Sequence, residues 1–292
     1  RLPGARELPA ERTAPVASLR RDVMLGNLRP RHFAIGAVVY GVGTLAGAAA
    51  WKASRAPPEA NGGNANCAHD GCAFQSLAPT YDSKIGLSER LGGILGFRKR
   101  LLEDVKGKTL EVAAGTGRNL DYYAKGKVDL TLVDVSDQML EVAKGKAAEA
   151  GHNPLILVAD TQQLPFQDST FDNVVDTFGL CSIEDPALAL REMQRVCKPG
   201  GHIRLLEHGR SHHGYGLLNS YLDKRVDKHV ERWGCWWNRS IDDILASCPG
   251  LDKVAERHHH FGTTYEITLV NRKTASTSNS VRASVAASTS IA

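Results

Sequence analysis

The chain has 292 residues, 42% of them hydrophobic and 23% charged, which is the composition of a globular protein with a sizeable buried core. Its net charge of +4 lies wholly in residues 1–31, and the neutral main body argues against a dedicated nucleic-acid binder. Six scattered cysteines are too few for a disulfide scaffold.

The N-terminal segment, residues 1–31, contains seven arginines, three acids and no lysine. Arginine-rich segments that are poor in acids are typical of mitochondrial transit sequences. The alternative interpretation is a disordered basic flank. We predict a basic N-terminal segment that is transit-like and separate from the folded body.

An uncharged stretch follows. Residues 33–51 carry no charge, and their length is just sufficient for a helix to cross a bilayer. Basic residues flank both ends, and Trp51 lies at one boundary as an interfacial aromatic residue would. The sequence therefore predicts a transmembrane helix at 32–52, with its more basic N-terminal side toward the matrix or cytosol. A secretory signal peptide or a buried core helix fits less well, because the stretch lies deep in the chain and has no polar face.

The rest of the chain divides by composition into a linker at 53–75, a catalytic body at 76–272 and a tail at 273–292. The linker is rich in turn-forming residues. The tail has few large apolar residues, so we expect the tail to be disordered. Cys67 and Cys72 are the close cysteine pair. Their pairing as a disulfide stays open, and the ligands around them are too few to predict a metal site.

The body alternates between strand and helix patterns. Strands are predicted at 108–114, 129–134, 155–159, 172–177 and 202–207, with a final pair at 251–258 and 263–271. Helices are predicted near 117–125, 136–150 and 186–198, and again at 215–230. This alternation predicts an α/β fold, a Rossmann-like, doubly wound and mostly parallel seven-stranded sheet.

Three successive predicted strand ends carry groups suited to one ligand. Gly115 and Gly117 form a turn that lets backbone pass close beneath a ligand, and the chain beyond offers amide donors to a carboxylate. Asp134, at the end of the next strand, is placed to accept from ribose hydroxyls, and Asp160 follows the third strand. Each group alone also fits an ordinary turn or helix cap.

The glycine pattern distinguishes between cofactors. The turn reads GTGRNL, without the third glycine that supports close approach of a dinucleotide pyrophosphate. S-adenosylmethionine has no phosphate, and its carboxylate requires less room. The sequence therefore favours S-adenosylmethionine as cofactor, and methyl transfer over hydride transfer.

The same segments carry a family resemblance. LEVAAGTGRNL, LVDVSDQML, DTQQLPFQDSTFDNVV and RVCKPGGHIRLLEH resemble the successive motifs of class I methyltransferases, most nearly the ubiquinone/menaquinone-biosynthesis type. The resemblance covers roughly residues 76–271. The downstream runs CSIEDP and GCWWNRS look like a membrane-anchored branch, which includes fungal mitochondrial inner-membrane members and animal thiol methyltransferases of the endoplasmic reticulum.

The resemblance implies a set of cofactor-binding positions. They are Gly115 and Gly117 under the cofactor, Glu111 at its amino-acid end, Asp134 at the ribose, Ser136, Gln138 and Met139 beside the adenine, Asp160 and Thr161 at the adenine edge, Thr177 and Phe178 near the sulfonium, and Tyr81 above the cofactor.

Methyl transfer from a sulfonium needs alignment and no metal, so no metal site is expected. A base is required only if the acceptor must lose a proton, and His208 or Glu207 is predicted for that role. The acceptor is left open between a quinone-like lipid, a small hydrophobic thiol and a protein. The expected partners of the protein are the membrane and that acceptor, with possible partners in a membrane complex, and no nucleic acid is expected among them. The branch implies the mitochondrial inner membrane, or alternatively the endoplasmic reticulum, and a non-catalytic assembly factor is the competing function.

Overall fold

The computed structural model describes residues 72–272, with side chains from Phe74 onward. The predicted basic segment at 1–31, the transmembrane helix at 32–52, most of the linker and the tail at 273–292 lie outside these residues. Within the described residues, no helix combines the length and apolar character that crossing a bilayer requires.

The described residues form seven α-helices and seven strands. The helices are α1 (Cys72–Leu77), α2 (Tyr81–Gly92), α3 (Ile94–Leu102), α4 (Asp137–Ala150), α5 (Pro186–Val196), α6 (Gly216–Trp233) and α7 (Ile241–Ala246). The strands are β1 (Gly107–Val112), β2 (Val128–Asp134), β3 (Leu155–Val158), β4 (Phe171–Thr177), β5 (Cys197–His208), β6 (Leu251–His259) and β7 (Thr264–Asn271).

All seven strands join one sheet in the order β3-β2-β1-β4-β5-β7-β6. The first five strands in this order are parallel to one another, whereas β7 is antiparallel to both β5 and β6. This confirms the predicted Rossmann-like, mostly parallel seven-stranded sheet.

Two apolar clusters hold helices against the opposite faces of the sheet. Val174 belongs to one cluster and its neighbour Val175 to the other, because successive strand residues point to opposite faces. The first cluster includes Met193 of α5 and Ile244 of α7. The second includes Leu102 of α3 and residues of α4. Helices on both faces bury the central strands, which explains their nearly continuous apolar sequences.

The helix predicted near 117–125 is wrong. Gly117 has a φ of 72°, which an α-helix does not allow, and only a short 3₁₀ turn forms at Leu120–Tyr122. The Asn119 side chain is completely buried among polar groups instead of facing outward from a helix. Tertiary hydrogen bonds therefore outweigh the local helical pattern here.

The strand order reverses direction between β1 and β4, since β2 and β3 lie on one side of β1 and β5 lies beyond β4. In open parallel sheets, ligands bind outside the carboxyl ends of the strands at such a switch point. This edge therefore positions the candidate site.

Candidate functional site

A cavity of about 330 Å³ lies at the carboxyl ends of β1 to β4. Its volume falls within the range of about 300–1,000 Å³ that is usual for small-molecule sites. Eight of the sequence-predicted cofactor positions line it: Tyr81, Gly115, Asp134, Met139, Asp160, Thr161, Thr177 and Phe178. Four predicted positions, Glu111, Gly117, Ser136 and Gln138, do not line it.

The two glycines after β1 have different roles. Gly115, at a φ of 54°, lines the cavity, and a Cβ added there would meet no atom closer than 4.0 Å. A Cβ on Gly117 would lie 2.6 Å from Leu120 Cδ1 and 3.1 Å from Ala143 Cβ. Gly117 therefore lets the loop pack against α4, and only Gly115 contributes to the cavity.

Asp134 at the end of β2 is buried and lines the cavity. Its Oδ2 accepts a hydrogen bond from the Gly115 amide at 2.8 Å, and its Oδ1 accepts one from the Ser136 amide at 2.9 Å. Burial raises the pKa of Asp134, although these backbone donors oppose that shift. Each carboxylate oxygen has a second lone pair and can accept one further donor.

The start of α4 lies beside Asp134. Ser136 caps this helix by accepting from the Met139 amide at 3.2 Å, and its hydroxyl donates to Gln75 at 2.9 Å. The Gln138 amide also donates to the Gln75 side chain. Ser136 and Gln138 thus fix α1 against α4, whereas Met139 reaches the cavity.

The loop after β3 supplies Asp160 and Thr161. The exposed Asp160 accepts from the Gln162 amide at 2.8 Å, so it caps the short 3₁₀ turn that follows. The capping carboxylate also lines the cavity, and its contact with adenine stays a prediction. Thr161 is buried at the cavity wall.

Thr177 at the end of β4 lies in a polar cluster that includes Arg98. Arg98 Nη1 donates to Thr177 Oγ1 and to Asn119 Oδ1, each at 2.9 Å. The guanidinium of Arg98 also lies 5.3 Å from the centre of the Phe178 ring. Among the described residues, the buried Nε of Arg98 has no hydrogen-bond partner. Arg98 therefore brings a positive charge to the cavity wall, although its buried Nε does not face the cavity.

Glu111 lies beneath the cavity and does not line it. Its carboxylate accepts from Asn119 Nδ2 at 3.0 Å and from the Tyr123 hydroxyl at 2.6 Å. Complete burial raises the pKa of Glu111 to about 7, against the opposing effect of these two donors. Glu111 supports the loop that carries Asn119, and any effect on a ligand is indirect.

Helix α2, whose first residue Tyr81 lines the cavity, is held in place by an ionic network that sequence reasoning missed. The carboxylate of Asp82, next to the predicted Tyr81, pairs with Lys146 and accepts from Arg118 and Thr116. Glu89 pairs with Arg118 at 2.5 Å. It also pairs with Arg98 at 2.8 Å. Arg118 stands within the glycine motif, but no local pattern indicates that it meets acids of α2.

The two predicted bases lie behind the cavity wall. Glu207 is completely buried, and its carboxylate accepts from the Cys181 amide at 3.2 Å. Burial, with the neighbouring Asp176 carboxyl, raises the pKa of Glu207 well above its ordinary value. This position does not support Glu207 as a base. The ring of His208 packs on Phe178 with centroids 4.3 Å apart, so Phe178 separates it from the cavity.

The sequence reasoning also missed several residues that line the cavity. They are Phe74 of α1, Gln162 in the turn after β3, Gly179, Ser182, Ile183 and Glu184 in the loop after β4, and Gly234, which follows α6. The loop after β4 is held by Asp176, whose two oxygens accept from the amides of Gly179 and Leu180. An acid within the apolar sequence at the end of β4 could have indicated that the following loop is functionally important.

Comparison with known proteins adds to this geometry. A family described as a methyltransferase domain matches residues 110–205. The mitochondrial methyltransferase OMS1 of Saccharomyces cerevisiae is 33% identical over 210 residues, which cover 66% of this chain and 44% of that protein. The ubiquinone/menaquinone biosynthesis C-methyltransferase UbiE of Cellvibrio japonicus is 36% identical over 54% of this chain and 65% of that protein. The chain thus spans less than two thirds of either relative.

Solved structures show the same fold. A methyltransferase from Thermotoga maritima, described as S-adenosylmethionine-dependent, superposes with a TM-score of 0.52 at 22% identity. The match covers 69% of this chain and 99% of that one. At this level of identity the likeness establishes the architecture of the domain.

Proposed function

Because the chain belongs to the class I S-adenosylmethionine-dependent methyltransferases of the UbiE and OMS1 type, we propose that it methylates an acceptor close to a membrane. The single observation that carries the proposal is the cavity itself. Three groups converge there: the glycine backbone after β1, the Asp134 carboxylate after β2 and the Thr161 wall after β3.

The residues around the cavity fit S-adenosylmethionine. Asp134 has lone pairs for ribose hydroxyls, and Gly115 leaves open space above its backbone. Arg98 lines the cavity, and the positive charge of its guanidinium suits the carboxylate of the amino-acid end. Asp160 and Met139 lie on the side assigned to adenine.

When bound, S-adenosylmethionine supplies an electrophilic methyl group. The chain's own contribution is alignment, which can account for much of the rate of a displacement reaction. Thr177 and Phe178 border the end of the cavity next to Arg98, where the acceptor would enter. Helix α2 contributes Tyr81 to the cavity wall and is held in place by the pairing of Glu89 with two arginines. His208 stays a predicted base.

The acceptor class follows from the predicted surroundings of the domain. A helix at 32–52 would anchor the domain at 76–272 to a membrane through the linker at 53–75. The yeast relative is named as mitochondrial, and the segment at 1–31 is transit-like, so we place the protein at the mitochondrial inner membrane. The acceptor in this proposal is a hydrophobic one: a quinone-like lipid, a small thiol or a neighbouring membrane protein.

Titration calorimetry with S-adenosylmethionine, followed by transfer of a labelled methyl group to isolated mitochondrial membranes, tests the proposal. The wild-type chain and Asp137→Ala, an exposed neighbour on α4, should bind the cofactor and label an acceptor. Asp134→Ala should lose both. Equal labelling by wild type and Asp134→Ala would refute catalysis. Cofactor binding without any labelling would favour the assembly-factor alternative.

A further inference from the structure

Three potential metal ligands meet behind the wall of the cavity. Cys181 Sγ lies 3.3 Å from Cys235 Sγ, and Cys235 Sγ lies 3.8 Å from His208 Nδ1. All three ligand atoms lie within 4.8 Å of one another. The two cysteines are buried and His208 is half-buried. The three residues come from the loop after β4, the end of β5 and the connection between α6 and α7.

These distances are close to those of a tetrahedral zinc site. With Zn–S bonds of about 2.3 Å and Zn–N bonds of about 2.0 Å, tetrahedral geometry separates two sulfurs by about 3.8 Å and sulfur from nitrogen by about 3.5 Å. The observed separations of 3.3 Å and 3.8 Å therefore differ from the zinc-bound ones by half an ångström or less, and the third separation, between Cys181 Sγ and His208, is within 4.8 Å.

The segments that carry the ligands are fixed by other contacts. The Trp236 amide donates to the Cys181 carbonyl at 2.7 Å, which ties the two cysteine-bearing segments together. Arg239 Nη1 donates to the carbonyl of Leu180 at 2.6 Å. The His208 ring packs on Phe178. Ligands that are held in place before the ion arrives need little rearrangement to bind it.

We propose that Cys181, Cys235 and His208 bind one zinc ion at a second site, behind the cavity wall, which uses His208 as a ligand instead of as a base. Two thiolates and one imidazole are a known zinc ligand set, and the fourth position of such sites holds water or another ligand. Binding releases the two thiol protons, and the two thiolates neutralise the charge of the ion. The ion would connect the loop that begins at Phe178 to Gly234, both of which line the cavity.

A disulfide is the competing explanation for the two sulfurs. It would require them to close from 3.3 Å to about 2.05 Å and would not involve His208. A chance grouping of buried thiols is the other alternative, since cysteine is commonly buried. Within residues 72–272, Cys197 belongs to no cluster of ligand-bearing residues and provides a matched control.

The test is metal binding by the full-length chain, purified in detergent under reducing conditions. Zinc content after dialysis should be one equivalent higher in wild type and in Cys197→Ser than in Cys181→Ser or Cys235→Ser. The Cys67→Ser/Cys72→Ser double variant should keep that equivalent. Replacing zinc by Co²⁺ should give a thiolate-to-cobalt charge-transfer absorption that the Cys181 and Cys235 variants lack.

A second measurement requires no variant. Added Zn²⁺ should raise the melting temperature of the wild-type chain, and a chelator should reverse the rise, because a ligand that binds the folded state stabilises it. Reduced wild-type protein that holds no more zinc than Cys181→Ser, and melts at the same temperature with and without Zn²⁺, would overturn the proposal. Neither readout depends on methyl transfer.

Discussion

The carboxylate of Asp134 and the backbone amide of Gly115 are joined by a hydrogen bond of 2.8 Å, across two neighbouring strand ends. This contact means that the acid fixes the shape of the glycine turn as well as facing the cavity. Its second oxygen holds the Ser136 amide at the start of α4. One side chain therefore organises the turn, the helix start and the ribose side of the proposed cofactor site.

Substitution of Asp134 by Asn should weaken cofactor binding more than it weakens the fold. The amide loses the charge and one acceptor oxygen, and hydrogen bonds to a charged group contribute about 1.5–3 kcal/mol. We expect the dissociation constant for S-adenosylmethionine to rise by about 10- to 150-fold in calorimetry. The exposed Asp137→Asn is the control. Unchanged affinity in Asp134→Asn would contradict the ribose assignment.

Substitution of Gly117 by Ala should destabilise the domain. The new Cβ would lie 2.6 Å from Leu120 Cδ1, and the φ of 72° is strained for alanine. We expect a loss of about 2–4 kcal/mol in denaturant unfolding, from overpacking and backbone strain together. Gly126→Ala isolates the backbone effect, because Gly126 has a φ of 71° and no atom within 4 Å of an added Cβ. If the two variants lost equal stability, packing against α4 would not be the reason for Gly117.

Neutralising Glu89 should release helix α2 from the glycine loop. Its buried carboxylate pairs with Arg98 at 2.8 Å, and removal of one member of a buried ion pair typically costs about 3–5 kcal/mol. We expect Glu89→Gln to show such a loss in chemical unfolding. Asp252→Asn, which breaks an ion pair whose side chains are 61% exposed, should cost at most about 1 kcal/mol. If Glu89→Gln lost no more unfolding free energy than Asp252→Asn, the ionic network would not be what holds α2 in place.

Glu111 should give the domain a characteristic pH dependence. Burial raises its pKa from 4.5 to about 7, so between these values the folded state binds more protons than the unfolded state. The contribution of Glu111 to the free energy of unfolding is therefore fully present below pH 4.5 and is lost as pH rises toward 7. Glu111→Gln should remove up to roughly 3 kcal/mol of that decline, measured as unfolding free energy against pH.

The control for this titration is Glu141→Gln, since the Glu141 side chain is 74% exposed on α4. This substitution should leave the slope of unfolding free energy against pH unchanged. Asp176 has its pKa raised to about 7 by burial, so the wild-type slope includes more than one group and the comparison between variants is decisive. Parallel curves for wild type and Glu111→Gln would show that Glu111 is ionised in the folded state at neutral pH.

Local patterns in the sequence determined the sheet, the helices α4, α5 and α6, and three of the strand-end groups. Strands buried on both faces read as apolar runs, and parallel strands bring Gly115, Asp134 and Asp160 to one edge because their carboxyl ends coincide. The glycine pattern also identified the cofactor class, because the backbone conformation that glycine permits is a local property.

Only the tertiary structure decided which side chains contact each other when they lie far apart in the chain. Arg98 meets Thr177 across 79 positions, and Cys181 meets Cys235 across 54, so no local spacing announces either contact. A turn, in which Asn119 bonds Arg98 and Glu111, likewise stands where the sequence predicted a helix near 117–125. Sequence periodicity reports which face of an element is buried, whereas the identity of the polar group on the other side depends on how the elements pack.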